Sequence, residues 1–340
     1  MTKNILVLGL LLMVMVGCNN TSIVEEEVID LPVPEHGYIL FNTGVDSRGE
    51  LIEGKLTDDF VVHGYRYTNT WDAAKVLATP NEFYRELIEY DEGKNVHSYS
   101  PMKPWLGTQK YSFFAYYPDA TNIATISNTY EGNPYIEYTL ASRTDPTCLK
   151  DVMTALVIDT DASARTVDFT MKHRLSAIDV VGRNFNDEGK YVEVSKLVIH
   201  FTNLFHNKVT IPLNYKDEPN LKHVKGDTLT GNAANADYTL ISNSSNKIIV
   251  NSGGTETLLS QGKTMIVIPQ KVYLEGTIDL TFKNQGGTEV SESKPLKMNC
   301  EILSGRRYYV QLTFTQENVT IAIIQSEEWK DTERIDHEFE

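Results

Sequence analysis

The sequence predicts an all-β chain folded into two β-sandwich domains, and three observations support this fold class. Apolar and polar residues alternate with a period of two along many segments, which is typical of antiparallel strands with one buried face. Helical periodicity is scarce, and strands do not alternate with helices as they do in parallel-sheet enzymes. Setting aside a predicted leader of 17 residues leaves 323 of the 340 residues, enough chain for two hydrophobic cores.

The stretch Tyr99–Pro118 is dense in aromatic residues and should contain a central strand. Along it, Phe113 and Tyr117 would point to one face of a sheet, and Phe114 and Tyr116 to the other. Because both faces carry apolar bulk, we expect a strand that is internal to the N-terminal sandwich, with Phe113 through Tyr116 buried. The alternative is an exposed aromatic platform that stacks on carbohydrate.

Five further segments alternate apolar and polar residues. This pattern predicts strands with one buried and one solvent-exposed face. They are Ile136–Leu140, Val167–Met171, Val209–Tyr215, Ile278–Phe282 and Tyr308–Phe314. Pro212 has no N–H for a sheet ladder, so its strand should lie at an edge or carry a bulge. A change of face between Val194 and Leu197 predicts a bulge near Ser195–Lys196.

One segment, Asn81–Tyr90, predicts a helix. Asn81 is a suitable N-cap, and Phe83, Leu87 and Tyr90 share one side at helical spacing. The remaining polar, turn-rich stretches are typical of loops between strands. We therefore expect little helix.

The N-terminus predicts a lipoprotein signal peptide, residues 1–17, and then an acidic, proline-containing tether, residues 18–35. Lys3 supplies a basic start, and Ile5–Val16 is an apolar run too short to span a membrane. A lipobox-like end predicts lipid on Cys18. No aspartate follows this cysteine, so we expect the outer membrane; a secretory signal with an incidental cysteine is the alternative.

The mature chain should divide into an N-terminal domain, residues 36–164, and a C-terminal domain, residues 165–340. The boundary is placed in the polar stretch 159–165. Beyond Cys18 there are two cysteines, Cys148 and Cys300, and they fall in different proposed domains. We expect two unpaired thiols, and a disulfide is the alternative in an exported protein.

Charge and motifs narrow the function classes. The net charge of −15 and the pI near 5.0 argue against nucleic acid and against an anionic membrane surface as partners. We therefore expect no nucleic-acid partner, and contact with a membrane only through the lipid. The common motifs of metalloproteases, serine hydrolases and nucleotide-binding proteins are absent. The spacing of the first ligands in a calcium-binding loop is matched by Asp159, Asp161 and Ser163. However, Ala164 stands where the loop needs its turn glycine, and Thr170 where it needs its bidentate glutamate. We expect no metal, no cofactor, no catalytic residues and no enzymatic activity.

Five blocks of sequence, in order, resemble those of the Mfa-like fimbrillin family, pilin lipoproteins of Bacteroidales-type bacteria. The first block combines Tyr99–Pro101, Trp105 and Tyr111–Pro118. The other four are Lys150–Ala155, Phe169–Val180, Val267–Gln270 and Gly305–Leu312. The resemblance implies two tandem transthyretin-like (Greek-key) β-sandwich domains. It also implies a structural subunit of cell-surface fimbriae that supports adhesion, with other fimbrial subunits as partners and host or bacterial surface ligands.

The resemblance further implies maturation by an Arg- or Lys-specific protease, which removes the N-terminal strand with its lipid. That strand is expected within His36–Gly44, and the favoured cut follows Arg48, before Gly49, with Lys55 second. A strand of the next subunit then fills the emptied groove.

The segment Asn318–Gln325 is apolar and β-prone and is the favoured donor strand for this exchange. Its apolar side chains on one face are Val319, Ile321 and Ile323. The same segment could instead be the last strand of its own sandwich, which suits a tip or anchor subunit with no strand to donate.

Two other function classes compete with the pilin. A surface glycan-binding lipoprotein would use exposed aromatic residues, with Trp71, Trp105 and Trp329 as candidates. An enzyme is the third class. Exposed, coplanar aromatic rings would favour glycan binding, and buried rings would favour the pilin.

Overall fold

The computed structural model describes the chain in sixteen stretches. They are residues 34–45, 55–74, 80–120, 123–130, 133–140, 142, 145, 147, 150–205, 208–214, 228–230, 234–242, 244–269, 274–298, 302–316 and 318–325. Predictions on the leader and on Cys18, Arg48, Gly49, Cys148, Cys300 and Trp329 fall outside the described residues and stay predictions. The described residues from His36 onward form one compact unit.

Strands dominate the described residues, so the prediction of an all-β chain is confirmed. The strands are β1 (Leu40–Val45), β2 (Phe60–Tyr67), β3 (Phe83–Asp91), β4 (Val96–Ser98), β5 (Lys110–Tyr117), β6 (Ile123–Tyr130), β7 (Asn133–Thr139), β8 (Met153–Thr160), β9 (Thr166–His173), β10 (Ser176–Asn184), β11 (Tyr191–Phe205), β12 (Lys208–Pro212), β13 (Thr228–Thr230), β14 (Ala234–Ile241), β15 (Ile248–Asn251), β16 (Thr257–Leu258), β17 (Met265–Val267), β18 (Leu274–Asn284), β19 (Glu289–Met298), β20 (Arg307–Phe314) and β21 (Val319–Gln325). The helical elements are α1 (Trp71–Ala74) and two 3₁₀ turns, Ala162–Ala164 and Ser244–Asn246.

The first sheet has seven strands in the order β1-β9-β8-β5-β2-β3-β4. Its pairs are antiparallel, except that β1 and β9 run parallel. The sheet curls, so that its two edge strands, β1 and β4, approach each other. One apolar core lies inside this curl, and strands β1, β2, β3, β5, β8 and β9 all contribute to it.

Strand β5 confirms the prediction of a buried aromatic strand. It lies between β2 and β8, and Phe113, Phe114, Ala115 and Tyr116 are all fully buried. Phe113 faces the core inside the curled sheet, whereas Phe114 and Tyr116 face a second core on the other side. Apolar bulk on both faces therefore corresponds to a packed layer on both faces.

A four-stranded sheet in the order β13-β12-β7-β6 covers the second core. Its inward residues, among them Ile136, Tyr138, Val209 and Ile211, pack with the residues of β2 and β5 that face the same core. Strands β12 and β13 come from the C-terminal half of the chain, yet β12 pairs with β7.

Strands from both sides of the predicted boundary at residues 164/165 pair with each other. Strand β9 follows that boundary in the sequence, but it pairs with β1 and β8 in the seven-stranded sheet. Strands β12 and β13 also extend a sheet that begins with β6 and β7. Because strands from both sides share two sheets, a cut after residue 164 does not separate two sets of strands.

Two further sheets sandwich the third core. One has the order β16-β10-β20-β21, with β17 also paired to β10, and the other has the order β14-β11-β18-β19, with β15 also paired to β11. Aliphatic residues from both sheets meet between them, together with a few aromatic rings. β10 and β20 run parallel, and β20 pairs antiparallel with β21.

The helix predicted for Asn81–Tyr90 is wrong, because Phe83–Asp91 forms strand β3. Phe83 and Ile88 are fully buried, five positions apart, since a register shift interrupts the pairing of β3 with β2. Leu87, on the expected helical stripe, is exposed. Pairing in a large sheet thus overrides a local helical spacing.

The two local predictions on irregular strands have mixed outcomes. The bulge near Ser195–Lys196 is confirmed, because the register between β11 and β18 shifts between Val194 and Lys196. β12 is an inner strand between β13 and β7, so the expected edge position is wrong. Pro212 is tolerated there because it ends β12, whereas β13 pairs with Lys208 through Thr210.

Candidate functional site

Strand β1 lies at the edge of the seven-stranded sheet and fills a groove that other elements line. It pairs with β9 from Leu40 opposite Thr166 to Val45 opposite Met171. Ile39, Phe41 and Thr43 are buried, whereas Leu40 is exposed. The strand therefore inserts every second side chain into the core.

Phe41 is the central side chain in this groove. Its ring centroid lies 5.4 Å from that of Phe83, 5.5 Å from Phe113, 5.6 Å from Tyr99 and 5.7 Å from Phe169. The first two of these pairs are edge-to-face and the last is stacked, which are favourable geometries. Without β1, all four rings would lose a neighbour.

The segment from Tyr99 to Trp105 holds the start of β1 from the side opposite β9. The N–H of Ile39 donates to the Lys103 carbonyl at 2.9 Å, and the Tyr99 hydroxyl donates to the Ile39 carbonyl at 2.9 Å. The Trp105 N–H donates to the Gly37 carbonyl at 3.0 Å. The beginning of the strand is thus clamped on two sides, which makes the groove a slot rather than an open edge.

Trp71 and Trp105 are buried, so they do not form the exposed aromatic platform that the glycan hypothesis needs. Trp105 donates its Nε1–H to the Arg165 carbonyl at 3.1 Å, and the rings of Tyr65 and Phe114 each lie 5.0 Å from Trp71. Both tryptophans are among the largest fully or almost fully buried side chains of the described residues. Buried tryptophans favour the pilin hypothesis.

Lys55, the second predicted cleavage site, has its side chain engaged. Its Nζ donates to the backbone carbonyl and to Oδ1 of Asn95, and lies 5.4 Å from the centroid of the Tyr90 ring. The specificity pocket of a protease would have to remove the ammonium group from these partners. This geometry counts against Lys55 as the cut site.

The predicted donor strand, β21, lies at the edge of its own sheet. It pairs with β20 from Val319 opposite Phe314 to Gln325 opposite Tyr308. Val319 and Ile323 are buried, and the partly buried Ile321 packs against the same core. In the single chain this segment is the last strand of its own sandwich, and its role as a donor strand stays a prediction.

The side chains of the calcium-like loop are engaged in hydrogen bonds within the protein. Asp159 accepts hydrogen bonds from the Tyr67 hydroxyl at 2.8 Å and the Trp71 N–H at 2.7 Å. Hydrogen bonds from Lys110 and from Ser163 hold the pKa of Asp161 well below its usual range. Across the described ranges, no three His, Cys, Asp or Glu side chains are grouped to hold a metal ion.

A comparison with protein families decides the identity of the fold. The family model described as fimbrillin-like matches residues 60–329, most of the chain. The chain belongs to the fimbrillin-like family. This confirms the resemblance read from the sequence blocks. The family is one of structural rather than catalytic proteins, and it places the chain at the cell surface.

Solved structures of similar proteins come from Bacteroides species. A fimbrial protein from Bacteroides vulgatus ATCC 8482 is 17% identical, with a TM-score of 0.55 over 85% of this chain and 99% of its own. A candidate cell adhesion protein from Bacteroides ovatus ATCC 8483 is 14% identical, with a TM-score of 0.48 over 86% and 96% of the two chains. Comparison with curated proteins found no match.

In this fimbrillin-like chain, the part that the structure describes contains no helix long and apolar enough to cross a membrane. The link to a membrane that the sequence predicts is the lipid on Cys18, which lies outside the described residues.

Sequence reasoning missed one surface feature of this fimbrillin-like protein, around His63, Tyr84 and Arg85. The helix prediction concealed it, because it did not place Tyr84 and Arg85 in a strand beside His63. The exposed Tyr84 lies instead beside the buried imidazole of His63, with ring centroids 6.0 Å apart. No periodic signal marks an irregular strand of this kind.

His63 should make the stability of the protein depend on pH. Burial, and secondly the charge of Arg85, lower the pKa of His63 from 6.5 to about 4. Between these values the unfolded chain binds a proton that the folded chain does not, so unfolding free energy falls with falling pH, by about 2–3 kcal/mol from pH 7.5 to 4.5.

Unfolding in denaturant at both pH values measures this effect of His63. A His63→Gln variant should lose about 2–3 kcal/mol less than the unsubstituted protein on acidification. Tyr84→Phe, which keeps the ring beside the His63 imidazole, is the control and should keep the full pH dependence. An identical pH dependence in the His63 variant would show that this imidazole is not the titrating group.

Proposed function

We propose that this protein is a structural subunit of cell-surface fimbriae, exported as a lipoprotein through Cys18 and carried to the outer membrane. Assembly proceeds by proteolytic removal of the N-terminal strand, followed by donor-strand exchange. The observation that carries the proposal is β1 itself, an edge strand seated in an aromatic slot. It lies a few residues ahead of Arg48 in the sequence.

Removal of β1 would create a costly surface. The β9 groups that pair with β1 would lose their partners, as would the Lys103 carbonyl that accepts from Ile39. The pocket around Phe41 would expose apolar rings to water. Since open edges and apolar pockets beside a core are unfavourable, a strand of matching pattern should refill the slot.

Strand β21 has the pattern that the slot requires. The inward residues of β1 are Ile39, Phe41 and Thr43, each two positions apart. In β21, Val319, Ile321 and Ile323 have the same spacing on one face. In a donor role, β21 would leave β20 and place Ile321 in the pocket of Phe41.

Cleavage of the purified protein with a trypsin-like protease tests the proposal. We expect a fragment ending at Arg48 and oligomers that resist SDS, because every refilled slot joins two subunits. Arg48→Gln should block both products, and the matched variant Lys55→Gln should block neither. Ile321→Asp should permit cleavage but leave monomers, because a carboxylate cannot enter the aromatic pocket.

Two results would contradict this mechanism. Cleaved protein that stays monomeric at high concentration would exclude polymerisation through the slot and favour a tip or anchor subunit. Full oligomerisation of Ile321→Asp would exclude β21 as the donor. In cells, the Cys18→Ser variant should no longer be found in the outer-membrane fraction. Its retention in that fraction would contradict lipid anchoring.

A further inference from the structure

Strands β2 and β3 contain a bulge that directs two side chains outward. Val62 pairs with Glu86, and Gly64 pairs with Phe83. Between these two pairs, β2 contributes one residue, His63, whereas β3 contributes two, Tyr84 and Arg85. Bulges of this kind re-aim side chains and occur often beside binding sites.

The bulge carries backbone strain. Arg85 has a φ of +49°, in the left-handed region that side chains other than glycine rarely adopt. Gly64, which pairs with Phe83 at the end of the bulge, has to be glycine, because a Cβ there would lie 2.6 Å from Cδ2 of Phe83. Strained, non-glycine conformations cluster at functional sites. The chain thus keeps an unfavourable backbone at the position that displays Tyr84 and Arg85.

Tyr84 forms a supported aromatic platform. Its side chain is 57% exposed, the largest exposed fraction among the large apolar and aromatic residues that the structure describes. The ring stands edge-on to the His63 imidazole, and that imidazole stacks on Tyr116 with centroids 6.1 Å apart. Both supporting rings are buried. The exposed Tyr84 ring is therefore supported by the two buried rings of His63 and Tyr116.

A charged pair borders the platform. Nη2 of Arg85 lies 3.1 Å from Oδ1 of Asp119, and both side chains are more than a third exposed. Arg85 also interacts with the Tyr116 hydroxyl. The guanidinium offers further N–H donors, and the carboxylate offers a second acceptor oxygen. Donor and acceptor side by side match two neighbouring hydroxyl groups of a sugar.

We propose that Tyr84, Arg85 and Asp119 form a glycan-binding site. The apolar face of a hexose ring packs on Tyr84, and two adjacent hydroxyls bind Arg85 and Asp119. The ligand class is neutral, because the pair carries no net charge and the chain as a whole carries −15. The proposal rests on the proposed surface location and names the ligand class of its adhesive role.

A protein partner fits this surface less well than a sugar. Protein interfaces anchor apolar and aromatic residues in a desolvated patch. Here one aromatic ring is bordered by an ion pair that stays in contact with water. An aromatic face with a few polar groups that fix orientation is instead the pattern of a site for a small ligand, and a sugar ring is such a ligand.

The experiment uses the uncleaved monomer, so that it does not depend on assembly. An array of neutral and acidic glycans selects a ligand, and calorimetry measures its affinity. We expect a neutral glycan to bind, Tyr84→Ala to weaken binding at least about tenfold, and Asp119→Asn to weaken it several-fold. Tyr84→Phe should bind nearly as well as tyrosine, because it keeps the ring.

Phe185→Ala is the matched control, since Phe185 is 56% exposed and lies in the loop after β10. It should bind as the unsubstituted protein does, and thermal melting confirms that each variant is folded. Binding unchanged in Tyr84→Ala, an absence of neutral glycans among the ligands, or capture of acidic glycans alone would overturn the proposal. Loss of oligomerisation after cleavage, with glycan binding intact, would instead count against the assembly mechanism.

Discussion

A Phe114→Ala variant is expected to lose about 3–5 kcal/mol of unfolding free energy, the usual cost of truncating a buried aromatic ring. Phe114 is fully buried between the seven-stranded and the four-stranded sheet. Its ring centroid lies 5.0 Å from that of Trp71 and 5.8 Å from that of Tyr65. Two facing sheets cannot collapse around one missing ring, so a cavity should remain. Denaturant unfolding at neutral pH measures the loss.

The control for Phe114 is the same substitution on the surface. Phe185→Ala should change the unfolding free energy by no more than about 0.5 kcal/mol, because Phe185 is largely exposed. A loss below about 1 kcal/mol at Phe114 would show that its ring does not belong to the core.

An Asp179→Ala variant is expected to lose about 3–5 kcal/mol, because it removes the counter-ion of a buried guanidinium. Asp179 is 1% exposed and Arg307 is 4% exposed. Oδ2 of Asp179 lies 2.9 Å from Nε of Arg307, and Oδ1 accepts hydrogen bonds from Ser260 at 2.7 Å and Thr264 at 2.8 Å. This carboxylate therefore ties β10 to β20 and to the segment before β17.

A double variant separates the ion pair from the packing around it. Asp179→Leu combined with Arg307→Met should be less destabilised than Asp179→Ala, because no buried charge is left without its partner. Asp237→Ala, at an exposed aspartate beside His200, should cost no more than about 1 kcal/mol. If the double variant is no more stable than Asp179→Ala, the pair does not have the role described.

Much of the fold could be predicted from the sequence where one face of a strand is plainly apolar. The aromatic run of β5 and the alternation of β9, β18 and β20 predict strands because buried side chains repeat every second residue. The helix error at β3 shows the limit of this method. A bulge adds one residue, breaks the period of two and leaves a spacing that imitates a helical stripe.

The candidate slot was only half predictable. A strand is predicted within His36–Gly44, but no local pattern indicates that its partner is the parallel strand β9, far along the chain. Strand partners depend on long-range packing, as does the insertion of β12 beside β7. The burial of Trp71 and Trp105 likewise depends on neighbours that the sequence does not place.

The parallel pairing of β1 with β9 sets the order in which the sheet is completed. Asn42 and Asp168, which share a hydrogen bond across this pair, are 126 positions apart, whereas β2, β3 and β4 pair with near neighbours. Long loops are costly to close, so the local antiparallel strands form first and β1 is seated last. The groove that receives β1 is then already formed when β1 enters it. What favours β1 over a strand from another chain is the high effective concentration that its covalent tether provides, and cutting the tether ends that advantage.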